Sequence, residues 1–139
     1  MENRKQEPPQ DKRKKVGDFM HLRAWQSARK LRAELYRLTR SFPHEEKLGL
    51  AAQIRRAAVS VTANLAEGYG RFSYQENIQF CRQSCASVFE LRDHLTTALD
   101  AGYLSREKHR QMESMAMEVI RLFERLYPLY EEAQRGCWS

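Results

Sequence analysis

Apolar residues in this chain return every three or four positions through four successive segments, and no segment alternates with a period of two. Such spacing turns one side of each segment into an apolar stripe when the segment coils into a helix. A stripe of that kind has to be buried against another helix, so the pattern predicts an all-α fold. In the first segment Ala28, Leu31, Leu35, Leu38 and Phe42 repeat with 3-4-3-4 spacing, the seam of a bundle helix over about 23–41. The second carries Leu50, Ile54, Ala57, Val61 and Leu65. The third carries Ile78, Cys81, Cys85, Val88, Leu91, Leu95 and Leu99.

Punctuation residues set the limits. Pro43 suits the first turn of the second helix, with Glu45 and Glu46 complementing its positive end. That helix is expected to run to about Glu67 and to stop at Gly68 and Gly70, where glycine can take the left-handed conformation. Its alanines and serine would let neighbouring helices approach closely. Ser73 and Glu76 form a capping-box pattern that opens the third helix. It ends near Gly102, and Ser105 is the expected N-cap of a fourth helix reaching about Gln134. Connections of a few residues force antiparallel neighbours, which predicts an up-down-up-down four-helix bundle over 18–135. Residues 1–17 contain Pro8-Pro9 and lack periodicity, and are expected to form a disordered basic arm. Residues 136–139 are expected to be a short tail.

The fourth segment has more apolar surface than one seam needs. Beside Met112, Met115, Val119, Leu122, Leu126 and Leu129 runs a second line of Ala116, Ile120, Phe123, Tyr127 and Tyr130. A core-facing bundle helix devotes about three positions in seven to burial. Either this helix sits centrally in its own bundle or the second line meets another subunit. Large exposed apolar patches are rare on monomers, which favours self-association.

The net charge is +6 over 139 residues, and it is uneven. Residues 1–17 contribute +3, residues 18–72 contribute +5 and residues 73–139 contribute −2. On the first helix Arg23, Arg29, Lys30, Arg37 and Arg40 gather opposite the apolar seam. Arg55 and Arg56 would lie nearby if the first two helices pair. Arg71 falls among Tyr69, Phe72 and Tyr74, a composition able to hold phosphates and stack bases, although packing of the turn is the preferred reading of the aromatics. Arg29, Lys30, Arg37, Arg40, Arg55, Arg56 and Arg71 are therefore the candidate phosphate contacts.

Signs of catalysis are missing from the chain. It has no phosphate-cradling glycine loop, no GxSxG elbow and no HExxH. The Glu-x-x-His of di-iron bundles does not occur. Asp93 and His94 are helix neighbours that point in different directions. Cys81 and Cys85 share a helix face but have no further ligands at metal spacing, so both read as small core residues, and Cys137 as an exposed tail residue. The expectation is a protein without metal or cofactor. No apolar stretch is long enough to span a bilayer, and the N-terminal stretch has no signal-peptide core, which points to the cytoplasm.

The run Gln53-Ile54-Arg55-Arg56-Ala57-Ala58-Val59-Ser60-Val61, followed by Ala63-Asn64-Leu65-Ala66-Glu67-Gly68-Tyr69-Gly70-Arg71, closely resembles a signature of the bacterial 23S rRNA intervening-sequence (S23-type) proteins. The segments Phe19-Met20-His21-Leu22-Arg23-Ala24-Trp25-Gln26, Leu38-Thr39-Arg40-Ser41-Phe42-Pro43 and Leu99-Asp100-Ala101-Gly102-Tyr103-Leu104 are similar to the same family. The likeness covers about residues 18–130. It departs at Thr62, where members often carry proline, and residues 1–17 lie outside it. The resemblance implies a four-helix bundle assembling into a ring-like homopentamer, mostly without assigned activity. A related branch, the accessory variability proteins of diversity-generating retroelements, implies binding of nucleic acid and a reverse transcriptase. Asn64 and Glu67, with Gly68 and Gly70, read as a structural corner between the second and third helices, with recognition as the alternative for the two polar residues.

Overall fold

The computed structural model describes residues 18–71 and 73–136, all helical or in turns, with no strand among them. A 3-10 turn, Asp18–His21, leads into α1 (Arg23–Arg40); a second, His44–Glu46, precedes α2 (Leu50–Tyr69). The helices α3 (Tyr74–Asp100) and α4 (Arg106–Gly136) complete the chain. The basic arm expected over residues 1–17, Phe72, and Cys137 in the tail lie outside the described residues. Each helix packs on two others: α1 on α2 and α4, and α3 on α2 and α4. This closes a single core in which Leu35, Ile54, Val88, Leu91, Leu95 and Phe123 are fully buried. Burying side chains of this size contributes about 1.5–3 kcal/mol each before chain entropy is subtracted. The entry turn joins that core through Phe19, whose ring meets Trp25 edge-on at 5.3 Å.

Local chemistry accounts for most helix ends. Ser73 is the N-cap of α3, its Oγ accepting from Glu76 N at 3.5 Å, and Ser105 Oγ accepts from Lys108 N at 3.1 Å at the start of α4. The start of α2 differs from the sequence reading. Pro43 does not enter its first turn; the chain makes the 3-10 turn first, and α2 begins at Leu50. Glu46 still serves that end, because its Oε2 accepts from Leu50 N at 2.8 Å. Its Oε1 accepts from Tyr103 Oη at 3.1 Å, tying the α1–α2 connection to the α3–α4 turn.

The end of α2 is also different. Gly68 lies inside the helix, and Gly70, the C-cap residue, has φ −76°, so neither takes the left-handed conformation. Gly102 alone among the described residues has a positive φ, +79°. Gly68 is needed for space: a Cβ there would stand 2.7 Å from Phe80 Cβ. Around it α2 and α3 press together through small polar side chains. Ser84 Oγ donates to Val61 O, and Ser60 Oγ and Ser87 Oγ share a hydrogen bond of 2.9 Å.

On α4 the second apolar line is buried as far as Phe123; Tyr127 is half-buried, and the Tyr130 side chain lies outside the described residues. Ala116, Ile120 and Phe123 are buried in the chain's own core, while Met115, Leu122 and Leu126 of the first seam are only partly covered and Leu129 is 62% exposed. Packing on α1 and α3 at once requires a wide face, which is the first of the two alternatives. Pro128, inside α4, lacks the N–H that would otherwise bond one turn back.

Candidate nucleic-acid interface

The outward side of α1 gathers basic side chains along one helix. Its apolar seam turns Ala28, Leu31, Leu35 and Leu38 inward, so the side opposite that seam faces solvent. Arg23, Arg29, Lys30, Arg37 and Arg40 are all exposed. Arg23, Lys30 and Arg37 recur every seven residues, about 10.5 Å apart along the axis at 1.5 Å per residue. From Arg23 to Arg40 the row extends about 25 Å. Arg37 is paired with Glu34 one turn back. Arg23, Lys30 and Arg40 have no carboxylate within ion-pair distance among the described residues, and Arg29 only lies over the Trp25 ring at 5.5 Å. Four cations held along one helix without counter-charges form a surface that attracts polyanions.

The other candidates are dispersed and partnered. Arg55 is drawn into the α1–α2 seam, where Nε donates to Thr39 Oγ1 at 2.9 Å and the guanidinium covers the Tyr36 ring at 5.0 Å. Arg56 points to α3, where it pairs with Glu90. Arg71 pairs with Glu67 at 2.9 Å and lies over the Phe80 ring at 5.1 Å. Proximity to α1 therefore holds for Arg55 alone of these three. Arg23, which its seven-residue spacing to Lys30 places in the stripe, joins the exposed row although it is not one of the seven candidate phosphate contacts. Arg32 differs from its neighbours on α1: half-buried, it donates to Thr62 Oγ1 at 2.8 Å on α2. Thr62 thus supplies an acceptor that a proline could not.

At the corner, Asn64 Nδ2 donates to Ser60 O at 2.9 Å and to Ser60 Oγ at 3.0 Å, so its amide is held within α2. Tyr69 and Tyr74 are half-buried and partnered. The thiols are poorly placed for chemistry. Burial pushes Cys81 up to about 12, with the neighbouring Cys85 adding to the shift, and burial also raises Cys85. Among the described residues no cluster of three or more His, Cys, Asp or Glu side chains could hold a metal ion, and no helix is long and apolar enough to cross a membrane.

A family model described as 23S rRNA-intervening sequence protein matches residues 20–125, which takes in all of α1, α2 and α3 and most of α4. Comparison with curated proteins gives no match.

Proposed function

This chain belongs to the 23S rRNA-intervening sequence protein family, and on that premise we propose that it is a non-enzymatic, oligomeric cytoplasmic scaffold that binds structured RNA or RNA–DNA hybrids through α1. The observation that carries the reading is the row of exposed, uncompensated cations Arg23, Arg29, Lys30 and Arg40. Backbone phosphates repeat along any duplex, so a row about 25 Å long can meet several of them at once without reading bases. The family's description, which names ribosomal RNA, supports RNA as the polyanion. Arg37, Arg56 and Arg71 join by exchanging an exposed carboxylate for a phosphate, an exchange that exposed ion pairs of small net worth permit.

The bundle is up-down-up-down in this proposal. Support comes from cross-helix contacts in which one helix ascends as the other descends: Arg56 with Glu90, Ser60 with Ser87, Val61 with Ser84, Gly68 with Phe80. The resemblance to S23-type proteins makes a homopentamer the expected assembly. No cofactor or metal enters the reading.

The test is a titration of a structured RNA with the full chain at low and moderate salt. Binding at low salt that weakens steeply as salt rises supports the reading, because each neutralised phosphate releases counterions. Absence of binding at low salt overturns it. It would favour the second reading, a protein-interaction adaptor such as the accessory subunit of a retroelement reverse transcriptase. Phe89, 52% exposed on α3 beneath the Arg92 guanidinium, is the surface feature that favours this alternative.

A further inference from the structure

Where α3 turns into α4, Leu99, Arg106, His109 and Arg110 surround an open hollow of about 510 Å³. That volume falls within the range of about 300–1,000 Å³ usual for small-molecule sites. Arg106 and Arg110 stand one turn apart on the same side of α4, with about 5–6 Å between their Cβ atoms. His109, three residues after Arg106, lies on the adjoining row. The turn itself is braced: Leu104 belongs to the core, and Tyr103 Oη donates to Glu46 Oε1 at 3.1 Å.

The three basic side chains around the hollow are uncommitted. Arg106, His109 and Arg110 have no ion-pair or side-chain hydrogen-bond partner among the described residues. For His109 this calls for a reason, because its Nε2 is buried and buried polar atoms are nearly always bonded. The neighbouring carboxylates do not answer these charges. Glu113, one turn beyond His109, is held by Arg92 at 2.7 Å. Asp100 and Glu107 are exposed next to lining residues in sequence, yet neither is within ion-pair distance of the three. Lys108 and the positive end of the α4 dipole strengthen the cationic side.

We infer that this hollow binds a terminal phosphate, the phosphomonoester of a nucleotide or of an RNA end. A phosphomonoester carries a charge of about −1.5 to −2 at pH 7 and three acceptor oxygens, whereas each phosphate within a chain carries a single charge. Two guanidinium forks and an imidazole N–H supply charge-assisted donors for all three oxygens. The terminal torsion of a histidine is broad, so a turn of the His109 ring brings either nitrogen to the ligand and gives the unpartnered one a bond. Leu99 leaves an apolar wall for the carbon side of the ester. The hollow shares no residue with the row on α1, so the inference goes beyond the proposed function and does not depend on it.

The test follows the His109 ring by NMR in the histidine-labelled full chain, at constant pH and ionic strength, during titration with inorganic phosphate, adenosine monophosphate and adenosine. Phosphate and adenosine monophosphate shift the ring signals saturably, and adenosine leaves them in place. Arg106→Gln combined with Arg110→Gln weakens both interactions by at least about tenfold, the effect of losing charge-assisted bonds. Both positions are exposed, and unchanged helical circular dichroism verifies the fold. One short oligoribonucleotide, with a 5′-phosphate or a 5′-hydroxyl, separates the two sources. A response to the phosphorylated form alone assigns the hollow to RNA ends; no response to either, with adenosine monophosphate binding, assigns it to a free nucleotide. No saturable shift up to about 10 mM phosphate, an equal response to adenosine, or binding that survives loss of both arginines overturns the inference. None of these results touches RNA binding by α1, and a chain with Arg23, Arg29, Lys30 and Arg40 changed to glutamine should still bind phosphate here.

Discussion

Replacing Gly68 with alanine sets two effects of opposite sign against each other. Inside a helix the change should help, because alanine exceeds glycine in helix propensity by about 1 kcal/mol. The new methyl, however, would lie 2.7 Å from Phe80 Cβ and 3.2 Å from Asn77 Oδ1. Phe80 Cβ is fixed by the α3 backbone and cannot swing aside. Ordinary contact begins at 3.4 Å, so the helices must part by about 0.7 Å along that line. That separation would loosen the close α2–α3 packing that includes Ser84 and Val61. Overpacking of this sort costs about 1–3 kcal/mol, which leaves a net loss of about 1 kcal/mol and a Tm lower by about 3–5 °C. Gly70→Ala is the control: its methyl meets Glu67 O at 3.5 Å and φ is −76°, so it should be neutral or stabilise by up to about 1 kcal/mol. Urea and thermal unfolding followed by circular dichroism would measure both. A Gly68→Ala protein as stable as Gly70→Ala would refute the close-approach argument.

Three further outcomes follow from the packing and the thiols. Phe123→Ala should cost about 3–5 kcal/mol in urea unfolding, since the ring is fully buried within one chain; a loss under about 1 kcal/mol would return the second apolar line to the surface. Arg55→Ala should cost about 1–2 kcal/mol through its bond to Thr39, and Arg29→Ala less than about 0.5, while RNA affinity should respond more to Arg29; equal stability effects would contradict the division between them. Cys81, raised from 9.0 to about 12, keeps its proton more tightly when folded than when unfolded. Its contribution is therefore fully present below pH 9 and is lost as pH rises toward 12. The urea midpoint of wild type should fall more between pH 9 and 11 than that of Cys81→Ala, and Cys81 should resist alkylation at pH 8 until the chain unfolds.

The helices were legible because periodicity reports which face is buried, and Ser73 and Ser105 were legible because a cap needs only its own helix. Other features depended on partners that a sequence does not display. Gly68 resembles a helix terminator until Phe80 is placed against it. Pro43 resembles a helix start until Glu46 is seen to cap from the preceding turn. The width of the apolar face on α4 was apparent, but its meaning depended on whether α1 and α3 both reach it. Within the candidate interface, α1 kept its exposed row because five cations opposite one seam have nowhere else to point. Arg55 and Arg56 are adjacent in sequence, yet their 100° separation sends one to α1 and the other to α3.

The claim on which the account turns is that α1 binds a nucleic-acid backbone through charge. The direct measurement is the affinity for one structured RNA across a series of salt concentrations, for wild type and for a variant with Arg23, Arg29, Lys30 and Arg40 all changed to glutamine. Wild type should give log K falling with log salt at a slope steeper than about −3, four phosphates at about −0.7 to −0.9 each. The variant should bind far more weakly at low salt, with a slope close to what the remaining cations supply. A variant that retains both the affinity and the slope of wild type would contradict the account.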